Sequence, residues 1–460
     1  MRRFSVGLAV GALFAATALP SSAAAQGYGV YEQSACPSGR AGTGVAAASC
    51  QDGSSIFYNP AAIVGLPQTI SVGSSIIAPV GSFTNQFTGI TTDLEDKIYP
   101  IPHFYYVRPM GADNRWALGL GVFAPYGLAT DWPETFEGRF LGYHSSIQAI
   151  YIQPTVAARV SDRLSFGAGV DIVPVHVALH QRVDLSGLPT TTPGVTFANL
   201  GVPSGTDVGD VQLEGSTVSF GAHFGAQFKV TDRLTLGARY LVRQRPEIDE
   251  GEAEITQIET GLTLAPNNPL GLPAGTPVDA IIAPQFDDAS PTAAFADQGG
   301  ATSIPLPDQF VIGLQWRPTD RSRLLFDYQF TNWTTFHSLD IQFERLGLRQ
   351  IPERYEEAHG FRFGGEYDFT ATTTGRGGFY YHTRAAPPET VTPSLPTGER
   401  SSFTLGLGTK LTRSLGLEAY YQYLMQPDTR GRTVEGGVAA NNGLYEFNAH
   451  LVGATLALTF

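Results

Sequence analysis

The sequence predicts an all-β fold: a 14-stranded antiparallel transmembrane β-barrel plugged by a small N-terminal hatch. Three observations carry this prediction. From Pro67 onward, apolar and polar residues alternate in segments of about ten residues, the length a tilted strand needs to cross a bilayer. Very short connections alternate with long Gly/Pro/Asp-rich ones, as in barrels with tight turns on one side and long loops on the other. The last alternating segment, Tyr445 to Phe460, ends on an aromatic residue.

The chain opens with Arg2 and Arg3, continues with an apolar run from Phe4 to Leu19, and reaches a small-residue site at Ala23-Ala24-Ala25. This is the pattern of a signal peptide at residues 1–25, cleaved to leave a mature chain from Gln26. The apolar run falls short of the ~20 residues of a spanning helix, and no later segment supplies one. Composition agrees with a barrel: 52 Gly, 28 Phe and 19 Tyr but only 3 Met. Mean hydropathy is close to neutral, as it must be when lipid-facing and lumen-facing residues alternate and cancel.

The net charge of -13, with no cluster of Lys and Arg, excludes a nucleic-acid partner. Acidic stretches such as Glu247 to Glu254 and Asp287-Asp288 fall in expected loops and read as solvated faces. Divalent-cation binding at the cell surface is the alternative, but their spacing is not specific for a metal. No Gly-rich phosphate loop is present, so no nucleotide and no other cofactor is expected.

Residues 26–66 are too short for a domain and too apolar and Gly-rich for a solvated tail. The lumen is the place that covers them, which makes them a hatch. Both cysteines, Cys36 and Cys50, fall here. In an oxidising compartment they read as a disulfide in preference to a metal pair or free thiols. Closing a loop of about 15 residues contributes roughly 3 kcal/mol in a chain-entropy treatment.

Residues 67–460 form the barrel, with strand centres near 74, 104, 119, 150, 169, 223, 238, 311, 327, 363, 379, 406, 419 and 453. The short turns resemble one another: Arg159 to Leu164, Lys229 to Leu234, Arg317 to Arg321 and Lys410 to Leu415, with looser versions at Gly111 to Arg115 and Thr370 to Gly375. Six tight turns and seven longer loops give fourteen strands. The loops at 184–214 and 248–302 are the longest, and loops of such length are functional or disordered.

Two local features break the regular pattern. In the third strand, Trp116 to Leu128, Pro125 removes a ladder hydrogen bond, so Ala124, Pro125, Tyr126 and Gly127 belong at a bulge or a broken pairing. The alternative is a strand that ends before Pro125. In the hatch, Asn59-Pro60-Ala61 reads as a turn in which proline fixes φ and asparagine bonds the backbone. Ile150 and Ile152 around Tyr151, and Phe104 to Val107, leave both faces of their strands apolar. Packing against the hatch accounts for this as well as an apolar pocket does, and either disfavours an aqueous channel.

The chain resembles the FadL family of outer-membrane transporters for long-chain fatty acids and other hydrophobic compounds. The resemblance rests on Ser38-Gly39-Arg40-Ala41-Gly42 with Gly44, Asp52 to Ala62, Gly119 to Thr130, Gly138-Arg139-Phe140 and Trp333-Thr334-Thr335-Phe336. It implies a bacterial outer-membrane location, with membrane lipids, lipopolysaccharide and the barrel assembly machinery as surroundings. It further implies passive uptake: capture by extracellular loops, an apolar lumen pocket, and lateral exit at an inward kink of strand three beside Asn59, Pro60 and Ala61. Terminal Phe460 looks like the signal for barrel assembly.

The family's fatty-acid members use basic residues near the ends of strands five and nine. Arg182 matches the first and is the candidate head-group contact, with an ordinary rim arginine as the alternative. Asp340 stands where the second is expected, which leaves neutral hydrocarbons open as cargo. A porin, an adhesin and a barrel lipase are the competing functions. No nucleophile motif accompanies His103, His144, His176 or His180, so an enzyme is not expected and no catalytic residue is named.

Overall fold

The structure is a computed structural model that describes residues 27–47, 50, 52–111, 113–190, 192–431 and 442–460. The expected leader at 1–25 lies outside the described residues. Fourteen long strands form the wall: Thr69–Asn85 (β1), Tyr99–Met110 (β2), Trp116–Asp131 (β3), His144–Arg159 (β4), Leu164–Asp184 (β5), Asp207–Lys229 (β6), Leu234–Leu241 (β7), Gln309–Trp316 (β8), Ser322–Thr331 (β9), Ala358–Asp368 (β10), Thr373–His382 (β11), Arg400–Lys410 (β12), Leu415–Gly431 (β13) and Gly443–Thr459 (β14). Each pairs antiparallel with the next, and β14 returns to β1 in unbroken register from Thr69↔Thr459 to Asn85↔Gly443. The sheet closes on itself, so every strand of the wall has a neighbour on both sides over at least part of its length. Every strand centre expected from the alternation falls within one of these strands.

Burial follows the period of two. On β6, Val218, Phe220, Phe224 and Phe228 face outward and are exposed, while His223 between them is buried. An exposed apolar row of this kind suits lipid rather than water. The repeated turn motif has a shared cause. Ser161, Thr231, Thr319, Thr370 and Thr412 each place a hydroxyl oxygen to accept from the two backbone amides that follow, as Thr231 Oγ1 does from Arg233 N at 3.2 Å and Leu234 N at 3.0 Å.

The long loops are more ordered than their composition suggests. The acidic stretch expected as solvated loop is a strand, Glu247–Gln257, paired with Gly209 to Glu214 of β6 and with Gln298–Ser303. Its acids alternate with buried Ile248, Gly251, Ala253 and Ile255, so one face packs while the charges stay wet. Likewise residues 207–214 belong to β6 and not to the loop before it. Above the barrel, Leu185, Phe197, Leu200 and Val208 pack with Leu264, Val278 and Ile282 of the following long loop.

Residues Gly27 to Leu66 run inside the ring as two short helices, Ala35–Ser38 and Ser55–Tyr58, and a 3₁₀ turn, Pro60–Gly65, with Cys36 and Cys50 joined in a disulfide. Nearly all their described residues are buried. The wall receives them on glycine. A Cβ at Gly237 would lie 1.9 Å from Val45 O, and one at Gly225 would lie 2.2 Å from Asn59 Oδ1. The main chain of the segment thus rests directly on the main chain of the wall.

Candidate lateral window and lumen cavity

Strand β3 carries the irregularity foreseen at Pro125. Its register against β4 jumps from Phe123↔Tyr151 to Tyr126↔Ala149, so Ala124 and Pro125 together oppose Ile150. This is a bulge, with proline at the position where the ladder needs no donor. The strand then continues to Asp131 and does not stop before the proline.

On its other side β3 loses its neighbour. Pairing with β2 runs from Met110↔Trp116 only as far as Phe104↔Val122. Beyond that point β2 stays with β1 as far as Ile77↔Tyr99, leaving Phe123 to Asp131 unpaired toward β2. The upper rim is tied by Asp131, which accepts from Tyr99 Oη at 2.6 Å and Lys97 Nζ at 2.8 Å, while Glu95 N donates to its carbonyl at 3.0 Å. A window bounded above and below therefore interrupts the wall between β2 and β3.

The N-terminal segment supplies the missing backbone partners. Val30 N donates to Pro125 O at 2.8 Å, and Gly127 N donates to Tyr28 O at 2.9 Å. The Gln33 amide donates to Ala124 O at 2.8 Å and accepts from Ala124 N at 3.1 Å. Buried backbone groups must be paired, and at a strand that leaves its sheet these are the groups at risk. Tyr126 points inward, donating its hydroxyl to Pro307 O and packing edge-on to Trp333 at 6.4 Å.

A cavity of about 930 Å³ lies against this segment. Its lining joins inward residues, among them Phe123, Tyr126, Leu424 and Leu451, to outward residues Val72, Phe104, Val122 and Ile150. Val72 is 56 % exposed on the lipid side. One continuous, mainly apolar space thus runs from the lumen through the window to the outer surface of the wall.

Asn59 locks the segment to the wall a little lower. Its Nδ2 donates to Val45 O at 2.6 Å and to Ala226 O of β6 at 2.9 Å, and its Oδ1 accepts from Ala61 N at 3.0 Å. Pro60 begins the 3₁₀ turn, where its missing N–H costs nothing. Asn59, Pro60 and Ala61 do not line the cavity. Beneath them Glu366 joins Arg40 to Arg376 and Arg323, and Arg376 also pairs with Glu418, a buried charge network with each member satisfied by another.

Arg182 sits at the extracellular end of β5, bonded to Glu134 and 3.4 Å from Asp210, and does not line the cavity. Asp340 accepts from Gln350 Nε2 at 3.0 Å on a loop strand and is equally remote. The cavity's own arginines, Arg362 on β10 and Arg400 on β12, come from strands that sequence reasoning did not examine for cations. Their inward parity, shared with buried Glu366 and Ser402, was the available signal.

Of the strand histidines, His103, His144 and His176 line the cavity; His103 shares a hydrogen bond with Thr455 Oγ1 at 2.9 Å, and His144 packs against His180. Thr155, His223 and Asp171 form a relay of hydroxyl, imidazole and carboxylate. All three are buried, and none is among the residues that line the lumen cavity.

Comparison with known proteins agrees with this architecture. A long-chain fatty acid transport protein of Escherichia coli O6:H1 is 24% identical over 93% of this chain and 93% of its own length. Outer membrane protein P1 of Haemophilus influenzae is 22% identical over 70% of this chain, which spans 65% of that protein, just under two thirds. Among solved structures, a Pseudomonas aeruginosa FadL homologue superposes with a TM-score of 0.77 at 20% identity, covering 95% of this chain and 100% of that one. The Ralstonia pickettii toluene transporter TbuX gives 0.63 at 18%, covering 94% and 100%. The family described as outer membrane protein transport protein (OMPP1/FadL/TodX) matches residues 16–460. With a closed barrel and a match over nearly its whole length, the chain belongs to this family of outer-membrane transporters of hydrophobic compounds, whose members are not enzymes.

Proposed function

We propose that the protein takes up long-chain fatty acids or similar hydrophobic molecules passively, and releases them sideways into the membrane through the window between β2 and β3. The observation that carries this reading is the continuity of the cavity from lumen residues to lipid-facing Val72, Phe104 and Ile150. Each buried methylene is worth roughly 0.8 kcal/mol, so an apolar solute is drawn into such a space, and a side exit spares it a return to water. Gly27 to Leu66 act as the hatch, anchored by Asn59, Pro60 and Ala61. The stretch from Ala124 to Gly127 holds the window open. The loops above β5 and β7 capture the cargo.

The outer aromatic and aliphatic rows meet membrane lipid and lipopolysaccharide. Phe460, 66 % exposed with its N–H on Gln68 O at 2.9 Å, is presented to the assembly machinery.

The test is deletion of Pro125, which removes the extra residue and lets β3 run in regular register. Cells carrying this variant are expected to retain the barrel in the outer membrane but to accumulate labelled fatty acid at a small fraction of the parental rate. Uptake at the parental rate, with the variant folded, would sink the lateral route.

A further inference from the structure

We infer that Arg400 anchors the anionic head of the cargo, so that the cavity selects an amphiphile with one terminal carboxylate over a neutral hydrocarbon of the same length. This rests on the proposed function and assigns a ligand contact on β12, away from Arg182 and from the position of Asp340.

The lining of the cavity includes the carboxylates of Glu32, Asp131 and Glu214 and two guanidinium groups, Arg362 and Arg400. Glu32 is committed, accepting from Gln422 Nε2 at 2.8 Å and Tyr31 N at 2.9 Å. Arg362 is committed too. It donates to Ala41 O at 3.0 Å and Gln329 Oε1 at 3.3 Å and lies 3.7 Å over the Tyr31 ring. Arg400 makes no hydrogen bond or ion pair among the described residues, and its Nε is sealed from solvent without an acceptor. Arg362 Nε also lacks an acceptor, but its two other nitrogens are bonded, whereas no nitrogen of Arg400 meets an acceptor among the described residues.

An unpaired guanidinium beside apolar walls is costly unless an acceptor arrives. A carboxylate fits its planar fork with two parallel bonds, whereas an alkane or an ester offers no such partner. From Arg400 the wall continues through Leu424, Leu451, Ala449 and Ile77 toward the window. A charged head at β12 therefore leaves an apolar tail lying along the route to β3. A neutral cargo would pass the same walls but leave the cation unsatisfied.

The experiment measures equilibrium binding of hexadecanoate and of its methyl ester to the full chain in lipid nanodiscs, against empty nanodiscs as reference. Unsubstituted protein is expected to prefer the acid. Arg400→Gln is expected to weaken acid binding roughly ten- to a hundredfold while leaving the ester unchanged. Arg400→Lys, which keeps the charge but not the fork, is expected to recover part of the loss. Equal binding of acid and ester by unsubstituted protein overturns the anchor and leaves the transporter reading standing, independent of any variant. Equal weakening of both ligands by Arg400→Gln also overturns it. Binding of neither ligand overturns the transporter reading and the anchor with it.

Discussion

Gln33 and Ala124 form a two-point pair in which one side-chain amide does the work of a neighbouring strand. Gln33 Nε2 donates to Ala124 O at 2.8 Å and Gln33 Oε1 accepts from Ala124 N at 3.1 Å. A primary amide has the donor and acceptor of a peptide group at similar spacing, so it pairs with one residue of an open edge without continuing the ladder.

Gln33→Leu removes that pair while keeping the size of the side chain. It leaves the half-buried N–H and C=O of Ala124 without this partner, at a cost of up to about 1–3 kcal/mol for each group left unsatisfied. Amide exchange is expected to quicken in peptides covering 27–33 and 123–127, with β8 to β14 unchanged. Unchanged exchange at 123–127 would mean that another group or water satisfies Ala124.

Gly225→Val tests the seating of Asn59. A Cβ there would sit 2.2 Å from Asn59 Oδ1 and 2.7 Å from Pro60 Cδ, so the segment must lift from β6. The expected outcome is a barrel of normal heat resistance whose N-terminal segment is cut faster by protease and whose conductance in planar bilayers rises. Gly89→Val is the control, because a Cβ at that loop position meets nothing within 4 Å; its φ of +71° costs strain only locally.

Glu353 gives the extracellular loops a dependence on pH. It is buried in the loop after β9, and that burial pushes its carboxyl well above the ordinary carboxylate range. The folded loop therefore binds its proton more tightly than the open loop does. Loop stability falls as pH rises from the unfolded value of about 4.3 toward the folded one. Amide exchange across 332–357, corrected for its intrinsic rate, is expected to accelerate over this range in the parent. It should stay flat in Glu353→Gln. Parallel profiles for the two proteins would exclude Glu353 as the cause.

The wall was legible because most strands repeat one rule, apolar outward and polar or small inward, and because Ser161, Thr231, Thr319 and Thr412 mark its turns. The bulge at Pro125 was legible for the same local reason. The acidic strand Glu247–Gln257 was not. Its charges suggested solvent, while its alternation with Ile248, Ala253 and Ile255 was the better signal. Arg400 escaped because its meaning depends on what surrounds it. Parity alone turns it inward, but Glu32 and Arg362 reach it from 368 and 38 residues away in sequence. Arg182, at the position suggested by resemblance, shares the outward parity of exposed Val170 and is engaged by Glu134.

The glycine seats beneath the N-terminal segment impose two codes on single strands. On β6, Phe224 and Ala226 face fluid lipid, which reshapes itself around any apolar side chain. Gly225 between them faces a polypeptide that cannot yield. Adjacent residues thus answer to opposite tolerances, one set by a liquid and the other by a cast. A scan of substitutions along β6 would read as an alternation of permissive and forbidden sites, tracing the outline of the enclosed segment from the outside.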